Sequence, residues 1–456
     1  MSAENQNRTG AVGAADSGGR VSFAVWLMLI YLWYFIATPD TRFLIFGEIH
    51  FERILVAFIV LALFAGKKIT RQVSRTTVLV LLFFLWALFS YFQSPYRDIT
   101  PVVWWIENYW KYIIFYFFML YSIRSLEDLF TVIAGVCVIS FLYQLHTWYD
   151  YVNGGSYVYQ QGLKRIVGVW SGGGIGAANA FGLLGLVSLP FGISWLNMAR
   201  RTAVKIGLVL YLGLCFASIA FSGTRAAVLG ALVLLVLTYW RSIFRIKVMV
   251  PLIAALAVSA SLLPDELKHR YFEQIVVSDQ QAITDEGSDR IADESAQSRI
   301  QGLKDGWALV LRRPIIGYGP ASSGFARREV NATDEWVNAE DEYLELHNLY
   351  GQVMAETGFV GTFIFVLLVA GSLLQLHQTR RAFIPGAPSA TFLKSCHDLI
   401  LTSIILMIFY GIFTHSLYRY YWLLLFAFQV AFVQIVSNLD TTAAFAEAKN
   451  DTKTIS

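Results

Sequence analysis

IGLVLYLGLCFASIAF (206–221), SGTR (222–225) and AAVLGALVLLVLTYW (226–240) follow one another without a break. Two apolar runs enclose a four-residue polar turn, and the one charged residue between Lys205 and Arg241 is Arg225. Helices this apolar on every face belong in lipid. The pair reads as two membrane spans meeting with almost no loop between them. An arginine at that depth is costly unless its head snorkels to water or meets an anion. No acid lies near it in sequence, so an anionic ligand at the membrane face is the sharper reading.

The same pattern recurs along the chain. Of 456 residues, 56% are hydrophobic and only 15% are charged, against roughly 25% charged in soluble chains. Mean hydropathy is +0.54. Three cysteines exclude a disulfide scaffold, and a formal charge of +3 excludes nucleic-acid binding as the main activity. Twelve spans are expected, the first nine near 23–37, 45–66, 78–92, 104–123, 129–148, 175–196, 206–221, 226–240 and 248–263. The last three fall near 359–376, 399–417 and 422–435. Glu48, Glu52 and Arg53 crowd the start of the second, and Glu107 and Lys111 fall near the outer end of the fourth. The fold class is therefore an all-α polytopic membrane protein with about twelve transmembrane helices.

Lys and Arg set the orientation. Eighteen lie in one set of alternate connections and eight in the other, so both termini are expected on the cytoplasmic side. The first apolar segment reads as an uncleaved anchor. Trp104, Trp105, Tyr109, Trp110, Tyr418, Tyr420, Tyr421 and Trp422 crowd span ends and read as an interfacial belt.

Three regions follow: 1–263 with nine spans, a large outer loop over 264–346, and 347–456 with a short outer helix, three spans and a cytoplasmic tail. The loop carries 17 acids against nine bases. At 83 residues it is too long for a mere connection and suits an active site or lid. Within it, Ser278–Ser298 reads as a flexible acidic connector. Amphipathic helices are expected over Asp265–Ile275 and Arg299–Leu311, which places Arg299 at a helix start, where anions bind well.

Other chemistry is sparse. Lys164 and Arg165 precede the glycine run Ser171–Gly176 and Asn179, an arrangement in which backbone amides could approach an anion or helices could pack closely. His347 and Asn348 mark the loop's return to the membrane, and Gly358 is a plausible helix terminator. A histidine is a natural proton acceptor at neutral pH, although a lone one at a helix start is more often structural. No Ser-His-Asp order, cysteine pair or outer-side Asp-x-Asp motif stands out; the acidic loop could bind a cation, but nothing in its spacing requires one, and no cofactor is expected.

Three motifs carry a resemblance: Ser222-Gly-Thr-Arg-Ala-Ala; Arg299 with Trp307, Arg313-Pro-Ile-Ile-Gly-Tyr-Gly-Pro and Phe325; and His347-Asn-Leu-Tyr with Ala355-Glu-Thr-Gly-Phe-Val-Gly. In this order, around a long outer loop, they resemble the bacterial O-antigen ligase and polymerase superfamily across roughly 160–380. Thr224 and Ala226 replace the commoner Ser and Gly of the first motif. The resemblance implies a GT-C-like glycosyltransferase of the bacterial inner membrane, working at the periplasmic face. It implies metal-independent, inverting transfer of a glycan from undecaprenyl diphosphate to a sugar hydroxyl of lipid A–core. It also implies that Arg225 and Arg299, with Arg165 as a third cation, grip the diphosphate, while His347 orients or deprotonates the acceptor. A polymerase extending a lipid-linked O-antigen or exopolysaccharide is the alternative within the superfamily. A transporter or flippase is the alternative outside it, although span centres nearly free of charge do not suit one.

Overall fold

The computed structural model describes residues 21–41, 43–65, 73–160, 163–169, 177–239, 288–330, 345–380 and 390–454. The chain enters as α1 (Phe23–Ala37) and α2 (Phe51–Ala65), then α3 (Arg75–Phe92), α4 (Thr100–Ser122) and α5 (Leu126–Val152). A hairpin of β1 (Tyr157–Gln160) and β2 (Leu163–Ile166) follows, with Val158 opposite Arg165. Next come α6 (Ala178–Met198), α7 (Thr202–Phe221), α8 (Arg225–Tyr239), α9 (Ser288–Arg312), α10 (Leu349–Thr379), α11 (Ala390–Tyr410) and α12 (Tyr420–Thr454).

Among the described residues, seven helices are long and apolar enough to cross a membrane: α3, α5, α6, α7, α10, α11 and α12 over Tyr420–Leu439. The all-α polytopic class holds. α1 and α8 are shorter apolar helices, and the expected ninth span lies outside the described residues. The second expected span is broken. Leu44–Glu48 and Phe51–Ala65 are separate helices, and His50 between them takes a positive φ of 49°. Its charges are accommodated across the bundle: Glu52 accepts a hydrogen bond from Tyr31 and pairs with Lys111 of α4 at 3.4 Å.

Helix ends are fixed by side chains that satisfy otherwise unpaired N–H groups. Ser74 caps α3. Ser125 and Asp128 form a capping box on α5. Asp128 also accepts from the backbone N–H groups of Ser22 and Arg124, which ties the start of α1 to α5.

α12 runs through the centre, buried on every side from Tyr420 to Phe432, against α4, α10 and α11. This corrects the belt reading of the aromatics. Trp104 and Trp110 are exposed, but Trp105, Tyr109 and Tyr420–Trp422 are buried. Trp105 and Tyr109 meet Tyr418 edge-on, with ring centroids 5.5 Å and 5.1 Å apart. Small residues set the closest crossing: a Cβ on Gly182, Gly185 or Gly192 of α6 would press into α7 or the turn after it.

The described part of the expected connector is helical. α9 begins at Ser288 and runs unbroken to Arg312. Arg299 therefore sits in mid-helix and not at a helix start, so its own helix terminus offers it no anion site. The expected helix at Asp265–Ile275 lies outside the described residues.

Candidate active site

Five segments converge at one end of the bundle: the Ser222–Thr224 turn, the middle of α9, Glu345–Asn348, the β hairpin and the turn between α11 and α12. Each is held by identifiable contacts.

The Ser222–Thr224 turn joins α7 to α8 and sets Arg225 as the first residue of α8. Gly223 takes a φ of 63° against the Arg165 side chain, where a Cβ would come 3.1 Å from Nε. Arg165 itself is buried. Its Nε donates to the Ser222 carbonyl at 2.7 Å, and its Nη2 donates to Asn179 Oδ1 at 2.7 Å. The structure thus commits these donors of Arg165 to the turn and to the head of α6. Lys164, beside it, lies over the rings of Tyr157 and Tyr151 at 4.3 Å and 5.0 Å. The glycine run at 171–176 lies outside the described residues.

α9 packs on the first half of α10 through glycine: a Cβ on Gly306 would strike the backbone of Gly351. Arg299, on α9, lies over the Phe413 ring at 5.5 Å. Desolvation lowers its pKa, and the nearby charge of Arg225 lowers it further. Two arginines 74 positions apart in sequence are thus within electrostatic reach of one another.

α10 is two helices joined at Gly358, whose φ of 66° and ψ of −173° interrupt the turn, as its reading as a terminator anticipates. The motif Arg313–Pro320 docks at this interruption. Tyr318 N–H donates to Ala355 O at 2.8 Å, Gly319 N–H to Glu356 O at 3.0 Å, and Phe359 N–H to Pro314 O at 2.7 Å. Buried Glu356 accepts from Ala321 N–H at 3.0 Å and from the Ser323 hydroxyl.

Asn348 organises the other end of that half-helix. Its Oδ1 caps Tyr350 and Gly351 N–H, and its Nδ2 donates to Ile412 O at 3.1 Å. Leu349 N–H donates to Gly411 O at 2.7 Å. These bonds stop α11 at Tyr410, seven residues short of the expected span end, and fold residues 411–419 across the site.

His415 arrives on that turn, a residue the sequence reading does not single out. Its Nε2 lies 2.8 Å from Glu345 Oε2, while His347 Nδ1 lies 3.9 Å from the same oxygen. The two imidazole rings are 5.4 Å apart. His347 holds a φ of 47°, an uncommon conformation for a non-glycine residue. Desolvation, then the charges of His415, Arg299 and Arg327, push its pKa down to about 4, against an upward pull from Glu345. Burial raises the Glu345 carboxyl, but His415, His347 and Arg419 outweigh it and leave it below its ordinary value.

Among the described residues, Glu345, His347 and His415 form a group with metal-ligand spacing, their ligand atoms lying within 4.8 Å of one another. The surroundings suit an anion better. Arg299, Arg327 and Arg419 all bear on these groups, and a divalent cation would enter their positive field.

The arrangement therefore joins two guanidinium groups to a neutral imidazole with a carboxylate nearby. Its chemistry suits an anionic group beside a hydroxyl that gives up a proton. A comparison with curated proteins found no match. Residues 210–366, roughly a third of the chain, match the family model described as O-antigen ligase. The matched segment includes Arg225, Arg299 and His347 and excludes Arg165 and His415. Over this stretch the chain is similar to the O-antigen ligase family.

Proposed function

We propose that the protein is an O-antigen ligase-type glycosyltransferase of the bacterial inner membrane. It transfers a glycan from undecaprenyl diphosphate to a sugar hydroxyl of lipid A–core at the periplasmic face, with inversion and without a metal. The observation that carries this reading is that Arg299 lies within electrostatic reach of both Arg225 and His347.

The donor enters sideways from the bilayer. Arg225 and Arg299 repel one another when empty, and a diphosphate between them turns that repulsion into two charge-assisted contacts. As the acceptor oxygen bonds to the anomeric carbon, the bond to phosphate breaks and its electron pair leaves on the diphosphate. The arginines stabilise that developing charge. The hydroxyl proton passes to His347, and Glu345 stabilises the imidazolium that forms. His415, hydrogen-bonded to Glu345, fixes the carboxylate in place. Arg165 acts by holding the turn that presents Arg225 and not by reaching the donor.

The test is a transfer assay with purified protein, lipid-diphosphate-linked glycan and lipid A–core, without added metal. A modified lipid A–core, lost in His347→Ala, supports the ligase reading. Longer lipid-linked glycan with lipid A–core untouched assigns a polymerase. No product from competent substrates removes the transferase reading.

A further inference from the structure

α9 turns its apolar residues the wrong way for a soluble helix. Its buried face, turned to α10 and to Arg327, carries Gly302, Asp305, Gly306, Leu309 and Val310. The face it presents outward carries Ile300, Leu303, Trp307 and Leu311, and Ile315 continues the line beyond the helix end. These five range from 40% exposed at Leu303 to 63% at Ile315. Their spacing of three or four residues makes one continuous stripe along the helix. Lys304 and Arg312 flank it and are exposed.

The stripe does not end in water. Trp307 meets Phe359 edge-on, with centroids 5.9 Å apart. Phe359 is the first residue beyond the Gly358 interruption, and exposed Phe363, Val366 and Leu367 continue from it down the outer face of α10. That part of α10 belongs to a helix long and apolar enough to span a membrane. The apolar surface of α9 is therefore continuous with a lipid-facing one.

We infer that α9 lies in the plane of the bilayer surface, its Ile300–Leu311 stripe immersed among the acyl chains of the leaflet on the active-site side. Aromatic and aliphatic residues on one face with Lys and Arg at its margins are the pattern of an interfacial helix. Lys304 and Arg312 then reach up to the lipid phosphates. Arg299 sits beside Ile300 at one end of the stripe, so immersion fixes its height at the headgroup layer. The inference goes beyond the catalytic reading and stands without it.

The test uses the full-length protein in vesicles of phosphatidylethanolamine and phosphatidylglycerol. Native Cys137, Cys215 and Cys396 are buried, which confines a nitroxide label to an introduced cysteine. Labels at Leu303→Cys, Trp307→Cys and Leu311→Cys are compared with Phe363→Cys as a lipid reference and Asp98→Cys as a water reference. At the three stripe positions, collision with oxygen should exceed collision with a water-soluble nickel chelate, as at position 363, and the order should reverse at position 98. Nickel access at the stripe equal to that at position 98 would overturn the inference. So would an immobile label reached by neither reagent, which would mean that protein, such as a second copy, covers the stripe. A second measurement needs no substitution. Photoactivatable lipids should label wild-type peptides spanning 300–311 as well as those spanning 359–376, and labelling of only the latter would also overturn it.

Discussion

His347 is placed to act as a base over an unusually wide pH range. An ordinary imidazole titrates near 6.5, whereas desolvation and surrounding cations bring this one to about 4. The neutral form accepts the proton, so a lowered pKa preserves the active form as pH falls. Transfer should hold between pH 7 and about 5, with the acid limb of kcat/KM well below the ordinary histidine value. A limb centred near 6.5 would count against this environment. Arg165 makes a contrasting prediction. Arg165→Ala frees the Ser222 carbonyl and Asn179, and should lower both transfer and stability, the latter by about 1–3 kcal/mol. Arg225→Ala and His347→Ala should cut transfer by about 100-fold or more with little change in melting temperature. Arg225, Arg299 and His347 were legible because each is a polar residue in an apolar or motif-bearing context. His415 was not, because residues 399–417 read as one apolar run. The bonds that end α11 early come from Asn348 and Leu349, more than sixty positions away.

At the scale of elements, the α9–α10 pair depends on glycines whose partners lie far off in sequence. Gly358 combines φ 66° with ψ −173°, a region open essentially to glycine alone, and a Cβ there would strike the Ile315 carbonyl. Gly358→Ala should cost about 1–3 kcal/mol from the backbone alone, read as a lower melting temperature in detergent. Gly306→Val should separate α9 from α10 and lower transfer with it, since Arg299 rides on α9; unchanged transfer would mean that Arg299 is positioned by something else. The break at Gly358 was visible in sequence. The direction of α9 was not: periodicity marks an apolar stripe but cannot say whether protein or lipid receives it. Nor did acidic composition over 278–298 foretell helix from Ser288, because helix propensity of Glu, Gln and Ala is indifferent to net charge.

At the scale of the molecule, hydropathy gave the class and most span positions, because lipid demands that every backbone group be satisfied within a helix. It erred where tertiary contacts replace lipid. Trp105 and Tyr420–Trp422 look like belt residues until α12 is seen to run through the middle of the bundle. Asp128 is the corresponding polar tie, joining two helices through the N–H groups of Ser22, Arg124 and Ser125. Asp128→Ala should lower stability by about 2 kcal/mol and leave transfer by the folded fraction unchanged, since the carboxylate serves helix ends and not the site. Measuring melting temperature and activity on the same preparation separates the two effects.

The closeness of Arg225 and Arg299 also bears on turnover. A diphosphate that has lost its sugar carries more negative charge than the one that arrived. Cations tuned to the departing group therefore hold the spent lipid carrier more tightly than the fresh one, and release becomes the slow step. Added salt should then raise kcat while it raises the KM for the donor. A kcat that falls with salt would place the slow step before the sugar moves.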